Sequence, residues 1–560
     1  MSDGLKDLAS GDKPSGLGTP DRGASSGDGN SKRSLSPSAA AEWFPRHNPW
    51  LIAFVVMLST FMQVLDTSIA NVSLPHIAGN LSAGVEESTW VLTSYLVANS
   101  IVLPLSGWLS SLIGRKRLYM ICVATFTLSS LLCGLAPSLG FLVFFRILQG
   151  AGGGALQPVS QAILVESFPH EKRGMAMAVY GMGVVFAPII GPTLGGWITD
   201  SYSWRWIFFI NIPVGAFSLI LTFRFIHDPP YLVRSRVREG YKIDYIGLGL
   251  LSVGLGFLQV MFDKGQNEDW FESSMIRGCA LLAVIGLVGV VFWELRQRHP
   301  VVDLRLLKNR NFALSTITMF AMGMMMYGST VLLPILLQTL MGYTAMLSGM
   351  VISPGGMMVI LFMPLVGFLS SRVEARWLVV VGVAVSSMGL FIMSGFNLDI
   401  DFKTAVMARI VQSAGMAFLF VPINTLAFAF VAKEKVNNAT GLINLARNVG
   451  GSVGISMVTA LIARRAQFHH NVLVSHLTPY DPAYQQMIQN TSHALMGAGN
   501  SPNLAYIKAH GIMAGMLYRQ SHMLAFVDVF RLLGVMFLII IPLMFLMKKI
   551  RPGKGPMASH

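Results

Sequence analysis

Asp66 stands in the apolar stretch Phe61-Met62-Gln63-Val64-Leu65-Asp66-Thr67-Ser68-Ile69-Ala70, where an ionised carboxylate is costly to keep. Acidic groups retained in such segments line a water-filled cavity or a proton path, or are neutralised by a neighbouring helix for structural reasons. Arg146 lies in a second apolar stretch at a similar expected depth. A guanidinium nearby favours a charged carboxylate and apolar surroundings disfavour it. A proton carrier needs that balance, but sequence alone does not say whether the two side chains touch. Asp528 and Arg531 are three residues apart and read as a pair that neutralises itself on one helix face. Asn444 and Arg447 are also polar within an apolar run, with no role assigned. No nucleophile–base cluster, metal-like His/Cys spacing or Walker-type phosphate loop occurs. An enzyme, a metal site, a cofactor and direct use of ATP are therefore not expected.

The elements that must hold these residues are membrane helices. Hydrophobic residues make up 53% of the 560 and charged ones only 12%, against roughly a quarter in soluble domains. Apolar runs long enough to span a bilayer recur fourteen times: 49–74, 89–111, 118–136, 141–165, 174–198, 207–226, 245–262, 276–295, 312–337, 347–369, 377–395, 404–431, 440–462 and 523–547. Cys122, Cys133 and Cys279 each sit in such a run and suggest no disulfide. The net charge of +14 is not a nucleic-acid patch, because it is divided among short loops. Arg115-Lys116-Arg117, Lys172-Arg173, Arg234/Arg236/Arg238 and Lys548-Lys549 fall on one side, and Glu86-Glu87, Asp200 and Glu268-Asp269 on the other. An even number of spans then puts both termini in the cytoplasm under the positive-inside rule. No cleavable signal peptide is expected at the start.

Two sequence repeats organise the chain. Gly107-Trp108-Leu109-Ser110-Ser111 matches Gly367-Phe368-Leu369-Ser370-Ser371 at an offset of 260 residues, and Arg146-Ile147-Leu148-Gln149 matches Arg409-Ile410-Val411-Gln412 at 263. Two six-helix halves flanking a two-helix insert account for both. The expected organisation is a disordered tail (1–46), an N-terminal half (47–230), the insert (231–300), a C-terminal half (301–548) containing a long outer loop (463–522), and a second tail (549–560). Gly107, Gly114 and Arg115 form a tight basic turn, while Gly183, Gly191, Pro192, Gly195 and Gly196 predict a kinked, closely apposed fifth span. Candidate cavity residues are Gln63, Tyr95, Asn99, Gln157, Tyr180, Tyr327, Gln338 and Arg409.

At Leu65-Asp66-x-x-Ile69-x-Asn71-Val72-x-Leu74-Pro75, Arg146-x-x-Gln149-Gly150, Gly191-Pro192-x-x-Gly195-Gly196 and Trp204-Arg205-Trp206 through Asn211-x-Pro213, the sequence resembles the fourteen-helix drug:proton antiporters of the major facilitator superfamily. These are the EmrB/QacA type, and the resemblance covers about residues 48–548. Gln259-Val260-Met261-x-Asp263-Lys264-Gly265 and Asp269-Trp270-Phe271 are most similar to the EmrB branch. The resemblance implies an all-α fold with a cavity between the halves, and proton-coupled efflux of hydrophobic compounds through Asp66 and Arg146. It also implies an inner-membrane location and a tripartite assembly with an adaptor of the EmrA kind and an outer-membrane channel. Ser111 stands where the wider superfamily commonly has Asp, which removes one gating salt bridge from the expectation. An exporter of one metabolite, such as a siderophore or lipid precursor, is the rival reading; a non-transporting receptor is a more distant one.

Overall fold

The computed structural model describes residues 47–169, 172–228, 244–297, 300–432 and 435–548. Both expected tails and the Arg234/Arg236/Arg238 cluster lie outside them. The described regular structure is helical throughout. The first half of the chain contains α1 (Pro49–Asn80), α2 (Val85–Ser88), α3 (Trp90–Ile113), α4 (Arg115–Leu135), α5 (Leu139–Gly154), α6 (Leu156–Ser167), α7 (Arg173–Ser201), α8 (Trp206–Phe209) and α9 (Asn211–Phe225). Next come α10 (Tyr245–Lys264) and α11 (Ser274–Arg296). The remainder holds α12 (Arg310–Thr339), α13 (Ala345–Leu369), α14 (Ala375–Met393), α15 (Phe402–Phe428), α16 (Val436–Val474), α17 (Pro482–Gly497), α18 (Pro502–Leu538) and α19 (Ile540–Phe545). Thirteen of the described segments are long and apolar enough to cross a membrane, and the bent α7 makes fourteen.

Packing repeats in the same order in the two halves. α1 lies along α7 as α12 lies along α16; α3 pairs with α5 as α13 with α15; and α4 pairs with α5 and α9 as α14 with α15 and α18. α10 and α11 pack on each other, and α10 rests on α3 and α16. The lipid-facing stripe is legible on α4. Ile121, Leu128 and Leu135, seven apart, are exposed, while Tyr119, Cys122, Phe126 and Cys133 turn inward.

The expected kink is present. α7 bends by 41° between Pro188 and Ile190. Pro192 has no N–H for the carbonyl four residues back, which is that of Pro188. Ser68 Oγ on α1 takes this carbonyl over, donating at 3.4 Å. Gly191 faces Ser68, a Cβ on Gly195 would lie 2.9 Å from Ile69 Cγ2, and Gly183 faces Met57. These glycines let α1 and α7 approach. Gly196 does not share the role, since a Cβ there would meet nothing within 4 Å.

Two expectations need correction. The segment 463–522 is not an irregular loop. α16 continues to Val474, α18 starts at Pro502, and α17 lies between them. With 39 and 37 residues, α16 and α18 are about 55–60 Å long at 1.5 Å per residue, against a hydrocarbon core of roughly 30 Å. Both therefore project beyond the bilayer. Polar residues end the apolar run but not the helix, because 463–474 contains no Gly or Pro. Asp481 caps α17, accepting from Ala483 N at 2.8 Å, and Ile488 packs with Ala509 and Met513 of α18. Second, Asp528 does not pair with Arg531. It binds Arg465 Nη2 at 2.5 Å and His469 Nε2 at 2.8 Å, both on α16.

Candidate functional site

α1 extends beyond the expected 49–74, so Asp66 sits near the middle of its helix rather than toward one end. Both Asp66 and Arg146 are buried, at 2% and 0% exposure. Arg146 Nη1 donates to Asp66 Oδ2 at 2.6 Å and to Gln149 Oε1 at 2.8 Å, and its Nε donates to Val91 O at 3.0 Å. Gln149 Nε2 and Asn211 Nδ2 both donate to Asp66 Oδ1, at 2.8 and 2.7 Å. Asn211 also donates to Ser130 Oγ at 3.0 Å. Three helices (α1, α5 and α9) thus meet at one carboxylate, and α4 is tied in through Ser130 and Asn211. Its two oxygens accept three hydrogen bonds, one of them from a cationic donor. The guanidinium lies over the Tyr95 ring, 4.3 Å from its centroid.

Gln149, Asn211 and Ser130 were not among the candidate residues. Gln149 is three residues from Arg146 on one helix, and that i, i+3 spacing was the available signal for it. Asn211 and Ser130 are neutral side chains on other helices, and sequence spacing carries no signal for them.

Gln63, Tyr95 and Asn99 are buried and converge beside this network. A Cβ on Gly153 would lie 2.9 Å from Tyr95 Oη, 3.4 Å from Asn99 Nδ2 and 3.4 Å from Gln63 Cγ. Gln157 and Tyr180 face the other half instead. Arg447 donates to Gln157 Oε1, and Tyr180 stacks on Phe420 with centroids 6.4 Å apart. Beside them Asn444 Nδ2 donates to Gln161 Oε1 at 2.8 Å. Asn444 and Arg447 therefore join the two halves. Arg409 repeats part of the Arg146 arrangement, donating to Gln412 Oε1 at 2.8 Å and to Thr330 Oγ1 at 3.2 Å. A hydroxyl stands there in place of a carboxylate. Tyr327 is half-buried against Gly451 within the C-terminal half. Gln338 is exposed one residue before the end of α12, so it does not join the buried group.

At the basic end of the molecule, Gly114 has φ +87°, a left-handed conformation that glycine adopts at no steric cost. This residue turns α3 into α4. Arg115 is buried and ion-pairs with Glu166 at the end of α6. Ser111 Oγ donates to Trp108 O at 2.7 Å, within its own helix. The two halves close on each other on this side. Gly107 abuts Asn438, Asn437 Nδ2 donates to Ser106 O at 3.1 Å, and a Cβ on Gly174 would lie 2.9 Å from Gly367 O.

Comparison with known proteins agrees with this architecture. The sequence profile described as Major Facilitator Superfamily matches residues 56–455. The fatty acid resistance protein FarB of Neisseria gonorrhoeae is 37% identical over 493 residues, covering 88% of this chain and 94% of its own. The multidrug export protein EmrB of Escherichia coli K12 is 35% identical over 499 residues, covering 89% and 95%. EmrB of Haemophilus influenzae is 38% identical over 460 residues, covering 82% and 88%. Among solved structures, the human organic anion transporter MFSD10 has a TM-score of 0.54 at 13% identity, over 88% of this chain and all of its own. The proton:xylose symporter XylE has a TM-score of 0.52 at 14% identity, over 87% and 94%. These two speak to the fold alone. With three helices gathered on one buried carboxylate, the repeated packing and the matched profile, this multi-pass membrane protein belongs to the Major Facilitator Superfamily, on the branch of the EmrB export proteins.

Proposed function

We propose that the chain is a proton-coupled exporter of hydrophobic and amphipathic compounds across an inner membrane. The observation that carries the coupling is Asp66, buried at mid-helix in an apolar span and bound by Arg146, Gln149 and Asn211. A carboxylate in such a place is costly to keep and by default marks a functional site. Taking up a proton neutralises it, weakens its hold on Arg146 and Asn211, and so biases α1 against α5 and α9. Coupling arises if the two access states of the cavity differ in that protonation. Export of drugs is supported by relatives named multidrug export proteins, and amphipathic cargo by one named for fatty acid resistance. In this reading the halves are 47–230 and 301–548, with 231–300 inserted between them. The cavity wall includes Gln63, Tyr95, Asn99, Gln157 and Tyr180, and Arg409 contributes from the C-terminal half. A pH gradient imposed on proteoliposomes should drive accumulation of a lipophilic dye by the wild type. Accumulation that ignores the gradient would refute the coupling.

Both termini are assigned to the cytoplasm from the loop charges. A thiol introduced at Gln266 should react with an impermeant reagent applied from the periplasm, and one at Gly240 should not. The reverse labelling inverts the topology.

The projecting ends of α16 and α18, with α17, are the parts proposed to meet a periplasmic adaptor of the EmrA kind leading to an outer-membrane channel. Replacing 475–501 by a short linker should impair efflux from whole cells more than transport in proteoliposomes. Equal loss in both assays would assign the segment to folding instead.

A further inference from the structure

Arg531 has no place in the mechanism above, yet its position needs explaining. It lies on α18 within the apolar run 523–547 and is exposed. The carboxylate three residues away is already occupied, because Asp528 binds Arg465 and His469 across the interface with α16. Arg531 itself has no ion pair or hydrogen bond among the described residues. An arginine facing lipid without a partner in the protein is expensive, and the usual relief is to snorkel toward the interface, where lipid phosphates lie.

The surroundings are shaped for more than a lone charge. Arg531 and Arg465 stand at a groove of about 410 Å³ between α16 and α18. The rest of its lining is Asp528, Leu461, Val529, Leu532 and Val535. Leu532 and Val535 are 39% and 46% exposed, so the apolar wall continues from the cationic rim along the surface of α18. Two guanidinium groups against one carboxylate leave the rim net positive. A cationic rim over an apolar wall complements an amphipath with an anionic head, and the forked guanidinium suits phosphate oxygens.

We infer that the groove between α16 and α18 is a binding site for one anionic phospholipid, with its phosphate on Arg531 and Arg465 and an acyl chain along Leu532 and Val535. The lipid sits in the leaflet nearer α17, where α16 and α18 leave the membrane. It supplies the counter-charge that the protein withholds from Arg531, and it fills the seam between the two helices that project from the bilayer.

Native mass spectrometry of the purified full chain tests this with phosphatidylglycerol and phosphatidylcholine of identical acyl chains. The wild type should retain phosphatidylglycerol preferentially. Arg531→Gln should reduce that preference by about fivefold or more, the scale expected for one arginine at an anionic surface. Arg531→Lys should keep most of it, and Arg277→Gln, at an exposed arginine on α11, should leave it unchanged. Equal retention of both lipids by the wild type would overturn the site, and so would an unchanged preference in Arg531→Gln. An equal loss in Arg277→Gln would reassign the effect to diffuse surface charge. Displacement of phosphatidylglycerol by equimolar dodecanoate would make the occupant a fatty acid and contradict the phospholipid assignment.

Discussion

Asp66→Asn is expected to abolish pH-gradient-driven efflux while leaving the chain inserted. The amide mimics a permanently protonated carboxyl, so the access states no longer differ in protonation and the gradient has nothing to act on. Substrate should bind more weakly, as a site that exchanges a proton for substrate does when protonated, and downhill exchange at saturating substrate should persist. The substitution also leaves Arg146 without its counter-ion, and breaking a buried pair costs about 3–5 kcal/mol. Membrane insertion and monodispersity in detergent must therefore be measured alongside efflux. Asp66→Asn combined with Arg146→Gln removes both charges and should recover part of the lost stability but none of the coupled transport. Asp66→Glu retains a titrating group and should keep partial activity. Efflux at the wild-type rate from well-inserted Asp66→Asn would move the coupling site elsewhere.

The second large effect belongs to Arg146→Ala. Arg146 does three things at once: it neutralises Asp66, orients Gln149 and ties α5 to the Val91 carbonyl of α3. Without it Asp66 loses its counter-ion. The pH dependence of substrate binding should change, and the thermal unfolding temperature should fall. Arg146→Lys keeps the charge but not the fork. Its pH dependence should change less, although the bonds to Val91 and Gln149 are still lost. Asn211→Ala removes one hydrogen bond to a charged group, about 1.5–3 kcal/mol, and should change the pH dependence less than Arg146→Ala does. A fall in protein level with an unchanged pH profile would make Arg146 purely structural.

What the sequence made legible follows the cost of burial. Asp66 and Arg146 could be singled out because a charge in an apolar run needs a reason, and the structure brings the two together at 2.6 Å. Gln149 and Asn211 complete the same site but are neutral, and a neutral amide in a membrane helix calls for no special explanation. The roles of Asn444 and Arg447 depend on Gln157 and Gln161, nearly three hundred residues away. No local spacing encodes such a contact. The fourteen spans were legible because the bilayer sets their length. The outer connection was misread because hydropathy reports where the lipid ends rather than where a helix ends, and α16 and α18 continue past that boundary. Asp528 was matched with Arg531 by proximity in sequence, whereas its partner Arg465 lies 63 residues away.

The central claim is that a proton on Asp66 is exchanged for substrate. Its most direct test is substrate-induced proton release from purified protein in weakly buffered solution, followed with a pH-sensitive dye. Wild-type protein with Asp66 protonated should release protons when a hydrophobic substrate binds, and Asp66→Asn, saturated with the same substrate at the higher concentration its weaker affinity requires, should release none. Proton release from Asp66→Asn equal to that of the wild type would contradict the account.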